Sequence, residues 1–380
     1  METLAVENAR DTTKLYAPTP KPTPKATPCT EYLRVTEFKR WLTALKGSKY
    51  LRFNATDGTL EISANDGDVF SIYSVKCDST FDIAVLYEDI KGIIGGCSGT
   101  ITEFNVDGVD GDVLSLGGFK IPCYDITDKC PTVEFKKGFT FKVDRADFIG
   151  KLAQCAKFAA KDMTRYAVFG VNIKFLPDGQ IEIAGTDGQR LVKCGVKNYT
   201  NNSDKATYQD FIMDVDAIKA MLVHKPTTGL MTVSIASDGC RIKMTSGNIM
   251  VNSCGLEGTY PDYPDIFKNI NKDKVILGVD IKELAAHCKA TKRKRNWLAI
   301  DIDNNRVYSE VNGVEIYSQP MEVSTEAAGE IRYDSKFLLD IISNKGITFD
   351  NLQIDSKNAG ENPLYIAGDV YTILLMPVRK

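Results

Sequence analysis

The feature that most constrains this chain is a repeat. A short alternating strand runs into a helix-starting residue and then an apolar helical stretch: YLRVTEFKRWL from Tyr32, FKVDRADFIGKL from Phe141, FIMDVDAIKAML from Phe211 and VILGVDIKELAA from Val275. A fifth copy, IRYDSKFLLDII from Ile331, carries Tyr333 in place of valine. A sixth, FDIAVLYEDIKGII from Phe81, has the strand and the helix but a poor cap. In the other five, Thr36, Asp144, Asp216, Asp280 or Asp334 stands where a side-chain oxygen can accept a hydrogen bond from a free first-turn N–H. The copies begin about 50 to 70 residues apart, and between helices DGTLEISAND, DGQIEIAGTDG and LAIDIDNNRVYSEV alternate with period two between turn residues. Each copy therefore reads as one helix followed by several strands. One helix leaves part of an apolar sheet face bare, so six copies are expected to pair into three domains. The fold class is α+β, three similar domains of two helix-plus-strands repeats each, at residues 31–136, 137–268 and 269–380. Residues 1–30 carry prolines at 18, 20, 22, 24 and 28, which can join neither a strand ladder nor a helix interior, and are expected to form a disordered leader.

Much chemistry is excluded by what the sequence lacks. No apolar run approaches the roughly 20 residues of a membrane-spanning helix. METLAVENARDTTKLY has no basic start, apolar stretch or cleavage site, so a cytoplasmic location is expected. The ten cysteines include no C-x-x-C pair and read as reduced thiols. There is no Walker A loop, G-x-G-x-x-G, H-E-x-x-H or G-x-S-x-G. His224 and His287 stand in separate helical stretches, away from any ligand cluster, and read as structural or surface residues. Asp301 and Asp303 alternate along a strand and could share a face for acid–base work, although turn-flanking solvated acids are commoner. No enzyme, cofactor or metal is expected.

Net charge is −3, without the bulk excess of a nucleic-acid binder, yet the charges are sorted by element. The helical stretches hold Lys39, Arg40 and Lys46; Lys151, Lys157, Lys161 and Arg165; Lys219 and Lys225; Lys282, Lys289 and the run 292–295; Lys336 and Lys345. Many acids, such as Asp66, Asp68, Asp107, Asp110 and Asp112, fall in strands and turns. Helices sharing one face would make that face positive inside an acidic whole and draw in phosphate backbones without base readout. Any one of these lysines, taken alone, reads equally as a solvated helix residue.

Four segments carry a resemblance: Lys161-Asp-Met-Thr-Arg165-Tyr166-Ala-Val168-Phe-Gly170; Thr186-Asp187-Gly188-Gln189-Arg190-Leu191; Gly258-Thr-Tyr260-Pro261-Asp262-Tyr263-Pro264-Asp265-Ile266; and the terminal Leu374-Leu375-Met376-Pro377-Val378-Arg379-Lys380. In this order and spacing the chain resembles the bacterial β sliding clamp, the processivity subunit of DNA polymerase III, over about residues 31–380. The resemblance implies two chains closed head to tail, six domains around a hole lined by twelve helices, and double-stranded DNA held without sequence readout. It implies partnership with a DNA polymerase, a clamp loader and other proteins carrying a clamp-binding motif, whose short peptides would enter a pocket between domains 2 and 3. Residue by residue, that pocket would be Val168, Thr186, Gly188, Gln189, Arg190, Leu191, Pro261, Ile266, Leu374, Met376, Pro377 and Val378. The DNA-facing set would be Lys39, Arg40, Lys151, Lys157, Lys161, Arg165, Tyr166, Lys219, Lys289 and Lys336. The chain departs from the family at Gln189, where histidine is usual, at Asp265, near which a basic residue is usual, at Lys380, where leucine is usual, and in a shortened segment at 47–50. The rival readings are a repeat-built interaction scaffold that never encircles DNA and a hydrolase using Asp301 and Asp303.

Overall fold

The computed structural model describes residues 33–378 except 46, 66, 68, 102–103, 108–112, 117, 125–132, 163, 177–178, 201–209, 223–228, 270–273, 292–296, 312–313, 324–327, 345, 348–351 and 356–362. The expected leader, Lys46, Lys225, the run 292–295, Lys345, His224, Asp66, Asp68, Asp110, Asp112, Arg379 and Lys380 lie outside the described residues.

The repeat is visible in the element order. Each copy is a strand, a helix and a trio of further strands, with an extra two-residue strand in the second copy (Thr100–Ile101) and in the fifth (Glu322–Val323). The helices are α1 (Val35–Ala44), α2 (Tyr87–Gly96), α3 (Arg145–Ala156), α4 (Val215–Met221), α6 (Ile281–Thr291) and α7 (Ser335–Ile342), with the short α5 (Tyr263–Asn269) inserted between the fourth and fifth copies. The apolar spacing explains the helix faces. In α3, Phe148, Ile149, Leu152 and Cys155 recur at helical intervals and are buried; in α7, Leu338, Leu339 and Ile341 are. The strands show the other period. Val69, Ser71, Tyr73 and Val75 are buried while the residues between them are half-exposed or exposed.

The helix starts correct two expectations. Asp144, Asp280 and Asp334 accept first-turn N–H groups as expected. Thr36, by contrast, lies inside α1, where Arg34 is the flanking residue and makes no side-chain cap. The N–H of Val35 goes to the carbonyl of Gly99, 3.1 Å away on the neighbouring copy. Asp216 also lies inside its helix, because Asp214 is extended and accepts the Asp216 N–H, starting α4 earlier.

Strand pairing exchanges neighbours between copies. In an eight-stranded antiparallel sheet, the three strands of the fourth copy meet those of the first through Val69–Lys76 and Ile249–Cys254. In a nine-stranded sheet, the three strands of the third copy meet those of the sixth through Arg190–Val196 and Tyr371–Leu375. In both, each trio is flanked on its far side by the first strand of its neighbouring copy. The trios of the second and fifth copies, Phe104–Asp107 with Val113–Leu116 and Phe119–Pro122, and Trp297–Asp301 with Arg306–Val311 and Val314–Pro320, end in outer strands that have no strand partner among the described residues. One continuous apolar core runs between the sheets and the helices. At Gly185 the contact is so close that a Cβ would stand 2.1 Å from the Cys155 carbonyl oxygen, so only glycine lets α3 seat there.

Candidate protein-binding groove and nucleic-acid surface

Residues paired directly across strands share a face, which fixes what each side of the nine-stranded sheet carries. Thr186 pairs with Leu191 and Leu191 with Leu374, while Asn172 pairs with both Ala184 and Ile212. This face is turned away from the helices and is covered by the segment that leads into α5. Leu256 N–H donates to the Ile212 carbonyl at 2.9 Å, and the Tyr260 hydroxyl donates to the Ala184 carbonyl at 3.3 Å. Tyr260 and Tyr263 meet edge to face at 6.1 Å. The result is a second apolar cluster, separate from the main core: Ala184, Leu191, Ile212, Tyr260, Tyr263 and Leu374, with Val168, Leu256, Phe267 and Tyr365 packed against it. Burial pushes the phenols of Tyr260 and Tyr263 well up from their ordinary value, so both rings stay neutral.

The structure thus gathers Val168, Leu191 and Leu374 from the sequence-derived set. Thr186 is buried beside them, its hydroxyl donating to the Arg190 carbonyl at 2.7 Å and accepting the Gly188 N–H at 3.0 Å. That turn needs Gly188, whose φ of +84° is costly for any side chain. Gln189 is exposed, and its carbonyl accepts the Met376 N–H at 2.8 Å, while the Val378 N–H donates to Arg332 at 2.7 Å. These two bonds lay the terminal segment down with Met376 and Val378 exposed and Pro377 half-buried. Ile266 is exposed on α5, and Pro261 is exposed where its carbonyl accepts the Tyr263 N–H. Exposed apolar groups around a preformed apolar floor suit a short peptide with large apolar anchors. Ile212, Leu256, Tyr365 and Phe267 were missed from the sequence. Ile212 is signalled only by strand alternation, and Tyr365 only by its pairing with Leu374.

Arg190 does not sit with Leu191. Consecutive strand residues point to opposite faces, and Arg190 is buried on the helix side. Its Nε donates to Asp187 at 2.9 Å, Nη1 to Asp340 at 3.2 Å and Nη2 to the Lys157 carbonyl at 3.1 Å. The guanidinium lies between the rings of Phe158 and Phe337, 5.0 and 4.8 Å from their centroids.

The basic residues divide into free and committed. A cleft of about 970 Å³ lies between the ends of α3 and α7 and the start of α4, with Lys157, Lys161 and Lys219 at its walls beside Asp216, Asp340 and Asn344. Lys161, Arg40, Lys289 and Lys336 are exposed, as is Tyr166. Arg165 is exposed while donating to the Asp187 carbonyl at 2.7 Å. Lys219 is exposed and ion-paired with Asp216. Lys39 and Lys151 are already engaged. Lys39 donates to the Gly95 and Cys97 carbonyls at the end of α2, at 3.0 and 2.8 Å, where its charge also opposes the helix dipole. Lys151 pairs with Asp147 at 2.7 Å, donates to the Gly195 carbonyl at 2.7 Å and keeps only 14% of its side chain exposed. Neither presents a free ammonium to a phosphate.

The remaining candidates take structural roles. Asp301 is buried and accepts from Asn304 and Arg306. Burial alone would raise its pKa, but those bonds outweigh it and hold the carboxyl below the usual range, so it carries no proton to give. Asp303 stands exposed in the following turn and accepts the Gly329 N–H. His287 stacks on Tyr317 at 3.8 Å with Nε2 2.6 Å from the Ser309 hydroxyl, and burial lowers its pKa. Among the described residues no group of His, Cys, Asp and Glu has metal-binding geometry, and no helix is long and apolar enough to cross a membrane. The eight described cysteines are free thiols.

Six strand–helix–strand copies, joined in sheets that cross from one pair of copies to the next, define a DNA-clamp architecture. Within that class the likeness is to the β subunit of DNA polymerase III. The structure superposes on the sliding clamp of Bartonella birtlesii, solved with griselimycin bound, with a TM-score of 0.77 at 18% identity, covering 93% of this chain and 100% of that one. For the β subunit of Thermotoga maritima the TM-score is 0.75 at 18% identity, and for that of Pseudomonas aeruginosa 0.73 at 16%, each covering 92% of this chain and 99% of the other. In sequence, the β sliding clamp homolog GriR of Streptomyces muensis is 22% identical over 353 residues, 86% of this chain and 90% of that one. No family model matches. The chain has the β-sliding-clamp fold, and the resemblance drawn from the four segments is the one these relatives return.

Proposed function

We propose that this chain is a non-catalytic DNA sliding clamp: two copies close head to tail around duplex DNA and tether a polymerase, which docks a short peptide in the groove beneath α5. On this reading residues 31–136, 137–268 and 269–380 are its three domains. A loader that opens the ring and other peptide-bearing proteins are its further partners.

The observation that carries the proposal is the pair of open sheets. In both completed sheets the last strand of one trio pairs with the last strand of another. Two trios lack that partner, and their last strands are Phe119–Pro122 and Val314–Pro320. Large apolar side chains are exposed on both: Phe119 at 48%, Val314 at 62% and Ile316 at 47%. Unpaired edges bearing apolar groups favour union with another chain. Joining Val314–Pro320 to Phe119–Pro122 of a second copy would give the fifth and second copies the arrangement that the fourth and first already have. Each copy carries one edge of each kind, so the contact is heterologous and, if it closes on two copies, leaves none open.

A closed ring also accounts for the modest charge. Topology retains the DNA, so weak contacts from Arg40, Lys157, Lys161, Arg165 and Tyr166 suffice and allow sliding. The decisive experiment combines mass with retention. The protein is expected to run at about twice 42.0 kDa and, once loaded, to stay on nicked circular duplex while escaping from linear duplex. Ile316→Glu, which sets a charge on the open edge, is expected to give monomers that still fold. A wild-type monomer, or equal retention on both templates, would refute the ring.

A further inference from the structure

The sequence resemblance places Arg190 in the peptide groove, and the structure turns it the other way. Resting on the peptide-groove reading, we propose that Arg190 touches no peptide and is instead the positioning residue that sets the groove from behind, by fastening α7 to the end of α3 across the nine-stranded sheet.

Gln189 of the turn and the first two residues of the strand Arg190–Val196 do three different things. The Gln189 carbonyl holds the terminal segment through Met376 N–H. The Leu191 side chain forms groove floor with Leu374. Arg190, between them, reaches through the opposite face to Asp340 and Phe337 of α7 and to Lys157 and Phe158 after α3. Phe337 and Asp340 belong to the copy whose last strand, Tyr371–Leu375, supplies Leu374 and runs into Met376. The guanidinium therefore ties together, on the helix side, the helices of the same two sheet halves that supply Leu191 and Leu374 to the groove floor on the other side.

The chemistry suits a rigid connector. A planar guanidinium can donate to two carboxylates and a carbonyl in one plane while both its faces pack on aromatic rings, which an ammonium cannot do. Asp187 contributes in a second way, since its carboxylate also accepts the N–H groups of Gln189 and Arg190, each at 3.0 Å. The turn that presents the groove's lip and the side chain that fastens the helices are thus anchored on one carboxylate.

The test uses full-length protein and a fluorescent, N-acetylated and C-amidated peptide without charged residues, carrying Leu and Phe anchors. Four variants are compared: Leu191→Ala, Arg190→Ala, Asp340→Asn and the double Arg190→Ala/Asp340→Asn. Asp340 keeps 47% of its side chain exposed on the far side of the sheet, so its variant is expected to fold. Asp340→Asn should weaken peptide binding about two- to fivefold, Arg190→Ala at least as much, and the double variant no further than Arg190→Ala. An uncharged peptide has no salt dependence of its own, so the wild-type affinity should fall with added salt and that of Asp340→Asn should stay flat. Full affinity in Asp340→Asn beside a weak Arg190→Ala would make Arg190 a direct peptide contact and overturn the proposal. So would additive losses. Unchanged binding in Leu191→Ala would overturn the groove reading itself, a result separable from the other two.

Discussion

The two completed sheet junctions use the same backbone ladder and opposite side-chain seams. Each is five antiparallel residue pairs, Val69–Lys76 with Ile249–Cys254 in one and Arg190–Val196 with Tyr371–Leu375 in the other. Behind the first stands an aromatic block: Phe38, Trp41 and Tyr73, almost wholly buried, with ring centroids 5.5 to 6.0 Å apart. Its indole nitrogen is satisfied inside, Trp41 Nε1 donating to the Ser71 hydroxyl at 2.8 Å and that hydroxyl to the Met250 carbonyl at 3.1 Å, while the Tyr73 hydroxyl reaches Glu37 at the block's edge. Behind the second stand Arg190, its two carboxylates and an amide pair, Asn344 to Gln154 at 2.9 Å, beside an open cleft. Strand pairing joins both; the seams decide how each responds to strain. The dry seam resists by packing, which is short-ranged and unforgiving. The polar seam can exchange partners with water, and it is the one that carries the groove.

The largest expected effect lies at the dry seam. Trp41→Ala empties a fully buried site and strips the Ser71 hydroxyl of its donor, so it should cost about 3–5 kcal/mol in urea unfolding, with no dependence on salt. Should the loss be nearer 1 kcal/mol, or change with ionic strength, the seam is not dry and the comparison fails.

At the polar seam the expected effect is smaller and conditional. With Asp340 47% exposed, solvent screening holds the Arg190–Asp340 pair to under about 1 kcal/mol. Asp340→Asn should show that loss at low salt and merge with the wild type at about 1 M, where the Debye length is about 3 Å. An undiminished loss at high salt would mean that the guanidinium is held by packing between Phe158 and Phe337, making the two seams alike.

The sequence disclosed the repeat unit because its signal is local: Phe148, Ile149, Leu152 and Cys155 mark a helix face by spacing alone, and Val69 to Val75 mark a strand. It did not disclose which trio meets which, since those pairings join residues far apart in the chain and leave no trace in any one segment. The committed state of Lys39 and Lys151 was hidden for a related reason, because their acceptors are backbone carbonyls at Gly95, Cys97 and Gly195, which every residue type offers equally. Thr36 misled because α1 starts one residue before it, at Val35, which puts its hydroxyl inside the first turn. The α5 helix escaped because it lies outside the repeat: it is as short as α4 but has no preceding strand-and-cap signature to mark it. Arg190 is different. Strand parity alone separates it from Leu191, although one motif carries both.

The effect that is smallest at neutral pH appears only in alkali. Burial, reinforced by the Glu37 carboxylate, pushes the Tyr73 phenol up to about 12, against about 10 in an unfolded chain. Between those values the folded protein keeps a proton that the unfolded chain has lost, so stability falls as pH rises. Tyr73's share is complete below pH 10 and gone once the pH passes through its folded value. Tyr73→Phe should therefore match the wild type closely at pH 8, apart from the 3.5 Å contact to Glu37, and hold its urea midpoint better between about pH 10 and 12. Parallel slopes for the two proteins would show that Tyr73 ionises freely and that water enters the aromatic block. Tyr371, on the second ladder, is also raised by burial, so alkali loosens both junctions while salt loosens one. The salt response, and not the alkaline slope, therefore tells the junctions apart: a variant that changes only the salt response places its effect at Arg190.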